Sequence, residues 1–101
     1  MLLEISGEIT PERMKMGTLM RRIAATRQVL CVTHLAQIAA CGHTHLMVSK
    51  SVADGRTYTA VNVLDEDSRL QELARIMGGT VTDVTLSAAQ ELRARAEEDE
   101  V

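Results

Sequence analysis

The sequence predicts an α/β domain: a mixed sheet with an antiparallel hairpin at its edge and helices flanking it. Three observations point there. Apolar residues recur at helical spacing near the start and again between Leu70 and Met77. A short apolar run, Val29-Leu30-Cys31-Val32, is bounded by polar residues. Asp54-Gly55 then separates two strand-like stretches. The order along the chain reads helix, strand, helix, strand, strand, helix, helix.

Residues 1–9 carry no clear pattern. Thr10-Pro11-Glu12 reads as a helix start, because Thr10 can cap, Pro11 suits the first turn and Glu12 meets the positive end of the dipole. Met16, Leu19, Met20 and Ile23 mark its expected buried stripe, and Gly17 inside it points to close packing. Gln28 to His34 reads as a strand buried on both faces, typical of a parallel strand between helices. Its parallel neighbour is not evident, so the expectation is that the neighbour is missing or comes from another chain. Leu35 to Ala40 is a short helix that Cys41-Gly42 ends.

His45 to Lys50 and Arg56 to Leu64 form the hairpin strands, the second alternating as if one face were wet. Asp65 caps the next helix, whose stripe is Leu70, Leu73, Ala74 and Met77 and whose stop is Gly78-Gly79. Ser87-Ala88-Ala89-Gln90 fits a capping box for a last helix carrying Leu92 and Ala96.

The 101 residues allow one small domain. One aromatic residue, Tyr58, and six Met leave a core of modest aliphatic side chains, so part of the apolar surface is expected to need a partner. A net charge of −3 argues against direct gripping of duplex nucleic acid. Arg13, Lys15, Arg21, Arg22 and Arg27 read as a solvated face, and the acidic run Glu97 to Glu100 as a frayed tail. The two cysteines suit reduced thiols, and no apolar run approaches a membrane span; a soluble, cytoplasmic protein is expected.

His34, ending Val32-Thr33-His34, is the sharpest feature. A histidine at the C-terminal end of a buried strand sits where α/β sheets place ligands, and imidazole can hydrogen-bond a phosphate oxygen. Alone, such a histidine is more often structural. The stretch Gln28 to Ala40, QVLCVTHLAQIAA, resembles the RecN family, ATPases related to the SMC and ABC families that act in DNA repair and recombination. His45 to Lys50, Gly55 to Thr59, Arg69 to Gly79 (RLQELARIMGG) and Thr85 to Arg95 resemble that family's following elements in order.

The resemblance implies one domain over residues 1–101, the C-terminal lobe of an ABC/SMC-type P-loop ATPase head, with about 13–96 covered. It implies that His34 is the switch histidine contacting the γ-phosphate, and that Ser6 and Gly7 are the remnant of a D-loop near a head–head interface. It also implies ATP and Mg²⁺ in a complete head, the remainder of that head as partner, DNA contact only through the full-length protein, and a bacterial, nucleoid-associated setting.

No G-x-x-x-x-G-K-[ST] is present, nor an apolar strand ending in Asp-Glu, nor a signature stretch. The chain is therefore expected to be a truncated lobe that binds no cofactor and hydrolyses no ATP alone. The rival expectation is a self-associating interaction module without nucleotide. Cys41, His43 and His45 alternate as zinc ligands on one strand face could, but at no standard spacing, so no metal is expected. Cys31 and His34 would face opposite sides of a strand, a poor nucleophilic pair.

Overall fold

A computed structural model describes residues 2–5 and 11–98 of the chain. Eight elements follow in order: β1 (Leu2–Ile5), α1 (Pro11–Ile23), β2 (Leu30–Thr33), α2 (Ala36–Ala39), β3 (Leu46–Ala53), β4 (Arg56–Val63), α3 (Glu66–Gly78) and α4 (Asp83–Glu98). The predicted cap Thr10 lies outside the described residues, but Pro11 opens α1 as expected.

β1 pairs in parallel with β2, Leu2 opposite Leu30 and Ile5 opposite Thr33. This corrects the expectation that β2 lacks a neighbour in its own chain. The two strands and α1 between them make a β-α-β unit, the connection that parallel pairing requires. β1 is too short to show an apolar period, which is why the sequence hid it. A second correction concerns burial. Leu30 and Val32 are 51% and 56% exposed, while Cys31 is half-buried beside Met20, Leu35 and Ile38. One face of β2 meets helices; the other has no layer of the described chain over it.

β3 and β4 form a separate antiparallel hairpin from Leu46 opposite Val63 to Ala53 opposite Arg56. Among the described residues there are thus two two-stranded sheets, not one mixed sheet. Asp54 and Gly55 take positive φ, 53° and 74°, the two-residue turn whose twist matches the strands. Both strands are exposed throughout, so the expected contrast of a dry and a wet face is absent. The hairpin packs chiefly on itself.

The helices hold the core. α1 packs on α2, α2 on α3, and α3 on α4. Asp65 caps α3, its carboxylate accepting from the Ser68 N–H at 2.8 Å, and Gly79 ends it in the left-handed conformation. α4 begins earlier than the Ser87 box predicts. Thr82 and Thr85 exchange bonds instead: the Thr85 N–H donates to Thr82 Oγ1 at 3.1 Å and the Thr82 N–H to Thr85 Oγ1 at 2.8 Å. Ser87 is an exposed residue inside the helix.

Packing is close because the buried side chains are small. Ala36, Ala40, Ala74, Ala89 and Ala96 surround Leu73, the one large side chain that is fully buried among the described residues. At Gly17, a Cβ would lie 2.9 Å from Cys41 Sγ, so the bare backbone lets α1 approach the end of α2. The inward face of α1 is Gly17, Met20 and Arg21; Met16 and Leu19, expected inside, are 40% and 56% exposed.

Candidate functional site

His34 immediately follows β2 and precedes α2, and its side chain is exposed. Thr33 Oγ1 accepts the Leu35 N–H at 3.1 Å, tightening the turn around it. Leu35 then turns inward and is buried against Met20 and Ile38. The register pairs Ile5 with Thr33, so both parallel strands end beside this turn. That is the edge where open α/β sheets bind ligands. Ser6 and Gly7, expected to follow β1 here, lie outside the described residues.

α2 is one helical turn; Ala39 O accepts the Gly42 N–H only at 3.4 Å, and the carbonyls just beyond it, Ala40 O and Cys41 O, take donors from elsewhere. Three buried arginines from three other helices fill that role. Arg69, on α3, donates through Nη2 to Ala39 O at 2.9 Å and Ala40 O at 3.3 Å, and also to Gly42 O. Its Nη1 makes a longer contact of 3.5 Å to His43 O. Arg93, on α4, donates to Ala40 O at 2.6 Å, and Arg21, on α1, to Cys41 O at 2.7 Å.

Carboxylates complete the cluster. Glu97 accepts from Arg21 at 2.9 Å and from Arg93 at 2.7 Å, and Glu66 accepts from Arg93 at 3.1 Å. Two carboxylates and a set of carbonyl dipoles thus compensate three guanidinium charges, which is what makes their burial tolerable. Burial, then the nearby Arg93 charge, pulls the Arg69 guanidinium below its ordinary value, and Glu66 and Glu97 oppose that. Arginine stays charged regardless. Arg21 is therefore not part of a solvated face, nor Glu97 part of a frayed tail. Charge runs usually are solvated, so the sequence pattern points the other way at both positions.

His45 lies beside this cluster. Burial lowers its proton affinity, the Arg69 charge lowers it further, and Glu72 partly offsets both. Its Nδ1 is buried without a hydrogen-bond partner among the described residues. The alternation of Cys41, His43 and His45 does not fall on a strand. Cys41 is buried at the end of α2, its thiol donating to Gln37 O at 3.2 Å, and β3 starts only at Leu46. No group of three metal-ligating side chains occurs among the described residues. Burial pushes the Cys31 thiol up, away from nucleophilic use.

Known proteins resemble this chain over most of its length. The chain is 46% identical over 89 residues to DNA repair protein RecN of Vibrio cholerae, covering 87% of this chain and 16% of that protein. It is 53% identical over 73 residues to RecN of Deinococcus radiodurans, covering 72% and 13%, and 41% identical over 78 residues to RecN of Bacillus subtilis, covering 76% and 14%. The chain is related to RecN. It spans about one-sixth or less of the length of these curated relatives. No family model matches it.

Two RecN-like segments meet in the fold. VTHLAQIA supplies the β2–α2 turn with His34, and ELARIMGG supplies the second half of α3 with Leu73, Ala74 and the Gly79 stop. Arg69, three residues before the second segment, reaches back to Ala39 in the first. No motif in the sequence singles out Arg69 or Arg93 as functional. A signal was available: Arg69 stands four residues before Leu73, and Arg93 stands four after Ala89 and three before Ala96, so both lie on buried helical stripes. No helix among the described residues is long and apolar enough to cross a membrane.

Proposed function

We propose that this chain is the C-terminal lobe of a RecN-type ATPase head, of the ABC/SMC-like P-loop class, in which His34 contacts the γ-phosphate of ATP. The supporting observation is the placement of His34: an exposed imidazole at the C-terminal end of a parallel strand, on a turn anchored from behind. Nucleotide and Mg²⁺ would be held chiefly by other parts of the head, since these 101 residues contain no phosphate-binding loop. What His34 supplies is a neutral or protonated donor aimed at a γ-phosphate oxygen, an electrostatic and positioning contribution to phosphoryl transfer. The chain alone then hydrolyses no ATP. Ser6 and Gly7 are assigned to the neighbouring D-loop on sequence grounds.

The exposed apolar face of β2, Leu30 and Val32, supports the same reading. A parallel strand is normally covered on both faces, and the remaining head is the natural cover. DNA would be engaged by the full-length protein, in a cytoplasmic setting.

The test is His34→Ala in the full-length RecN protein that carries this segment. ATP turnover is expected to fall about 10- to 100-fold, the range for loss of one preorganised donor, with the thermal midpoint unchanged. Unchanged turnover overturns the role given to His34. In parallel, calorimetry of the 101-residue chain with ATP and Mg²⁺ is expected to show no binding. Micromolar affinity would reveal a complete site within it and refute the lobe reading.

A further inference from the structure

We infer that Arg69 and Arg93 are positioning residues for His34: by gripping the C-terminal carbonyls of α2 they fix the turn that presents the histidine. The inference rests on the reading of His34 as the phosphate contact. Its grounds lie in how little else holds α2. The helix has four residues, Ala36–Ala39, and an isolated turn has no stability of its own. Its N-cap residue, Leu35, makes no side-chain cap bond. Two of its four residues are alanine, which bury little area. Leu35 and Ile38 anchor it to Met20 on one side. Its far end is set by charge-assisted bonds, Arg69 to Ala39, Ala40 and Gly42, and Arg93 to Ala40.

These bonds have direction. A planar guanidinium reaching two or three carbonyls constrains the tilt of the turn as well as its distance, which a lysine ammonium does not do. His34 lies five residues before Ala39, joined to α2 through the extended Leu35. A tilt of α2 about its C-terminal end therefore moves the residue that precedes it, and the imidazole with it. Misplacement of a reacting or charge-stabilising group by about 1 Å can cost on the order of 100-fold in rate. Arg69 and Arg93 stand on α3 and α4 and bond the far end of α2, so their influence on catalysis passes through α2.

The experiment is a double-mutant cycle on ATP turnover in the full-length protein. The variants are Arg93→Lys, Arg69→Lys, His34→Ala and each lysine variant combined with His34→Ala. Lysine keeps the charge and the stem, which favours folding, and removes the fork. Each lysine variant is expected to lower kcat about tenfold or more while KM for ATP moves by no more than about twofold. In the His34→Ala background the same lysine change is expected to have no further effect, because the group it positions is gone.

Equal loss in both backgrounds overturns the inference, since the arginines would then act by another route. Unchanged turnover in the lysine variants overturns it as well. A His34→Ala variant of lowered but measurable turnover, with fully additive lysine effects, leaves the phosphate reading standing and removes only the positioning role. A fully active His34→Ala removes the phosphate reading itself, and the inference with it.

Discussion

Arg93 donates to the carbonyl of Ala40 at 2.6 Å, joining the last helix to the shortest one across 53 positions of sequence. The same guanidinium holds Glu66 and Glu97, so α2, α3 and α4 meet at a single side chain. A bond of this kind is strong because its donor is charged and its acceptor is buried away from water. In a core built mainly of alanine, little apolar area is present to replace it.

Replacing Arg93 by Met is therefore expected to destabilise the protein by about 2–3 kcal/mol, the value of a charge-assisted bond lost from a buried acceptor. The loss is moderated because Ala40 O keeps Arg69 as a donor, and because Glu97 and Glu66 are both substantially exposed and can turn to water. Arg93→Lys should recover only part, since one ammonium cannot serve Ala40, Glu66 and Glu97 together. Urea unfolding at an unchanged slope measures both. A Met variant as stable as the parent would mean that this cluster contributes no net stability.

His45 gives the fold a pH dependence with a definite sign. Its folded-state proton affinity is depressed, first by burial and then by Arg69, below the ordinary value near 6.5. The unfolded chain therefore binds the proton more readily. The stability tied to neutral His45 is fully present above pH 6.5 and is lost as pH falls from there through the lower folded value. Unfolding midpoints at pH 7.5 and 5.5 should show the parent losing more stability than His45→Asn. Equal losses would place the sensitivity elsewhere.

The start of α4 separates two capping schemes. Ser87 fits the familiar pattern of Ser followed three residues on by Gln, yet the chain is already helical there. The hydroxyl that receives an otherwise unpaired N–H is that of Thr82. Thr82→Ala should cost about 1 kcal/mol, and Ser87→Ala should be neutral or slightly stabilising, because alanine is the better residue inside a helix. The opposite ranking, read from thermal midpoints, would restore the later start.

Features written in local chemistry were legible in the sequence: the Asp65 cap, the Gly79 stop, the Asp54-Gly55 turn and the β2–α2 segment with His34. Features decided by distant partners were not. β1 has four residues and no period, and only pairing with Leu30 to Thr33 makes it a strand. Leu30 and Val32 look like core by composition, but no helix of the described chain lies over them. Arg21, Arg69 and Arg93 look like solvent-facing charge until the carbonyls at the end of α2 are in place. Ser6 and Gly7 were chosen from a resemblance and fall outside the described residues.

Gly17 was read as a sign of close packing, and the geometry turns that into a measurable coupling. A Cβ there would stand 2.9 Å from Cys41 Sγ, closer than two such atoms can sit. The sulfur cannot simply swing aside, because Cys41 is buried and its thiol is bonded to Gln37 O at 3.2 Å. Gly17→Ala gains about 1 kcal/mol of helix propensity and loses about 1–3 kcal/mol to overpacking, so the net effect is destabilising. Cys41→Ala removes the obstructing atom. In the double variant the propensity gain should remain while the clash disappears, making Gly17→Ala stabilising in the Cys41→Ala background. A Gly17→Ala effect of the same sign and size in both backgrounds would show that α1 and the end of α2 are not in contact at this point.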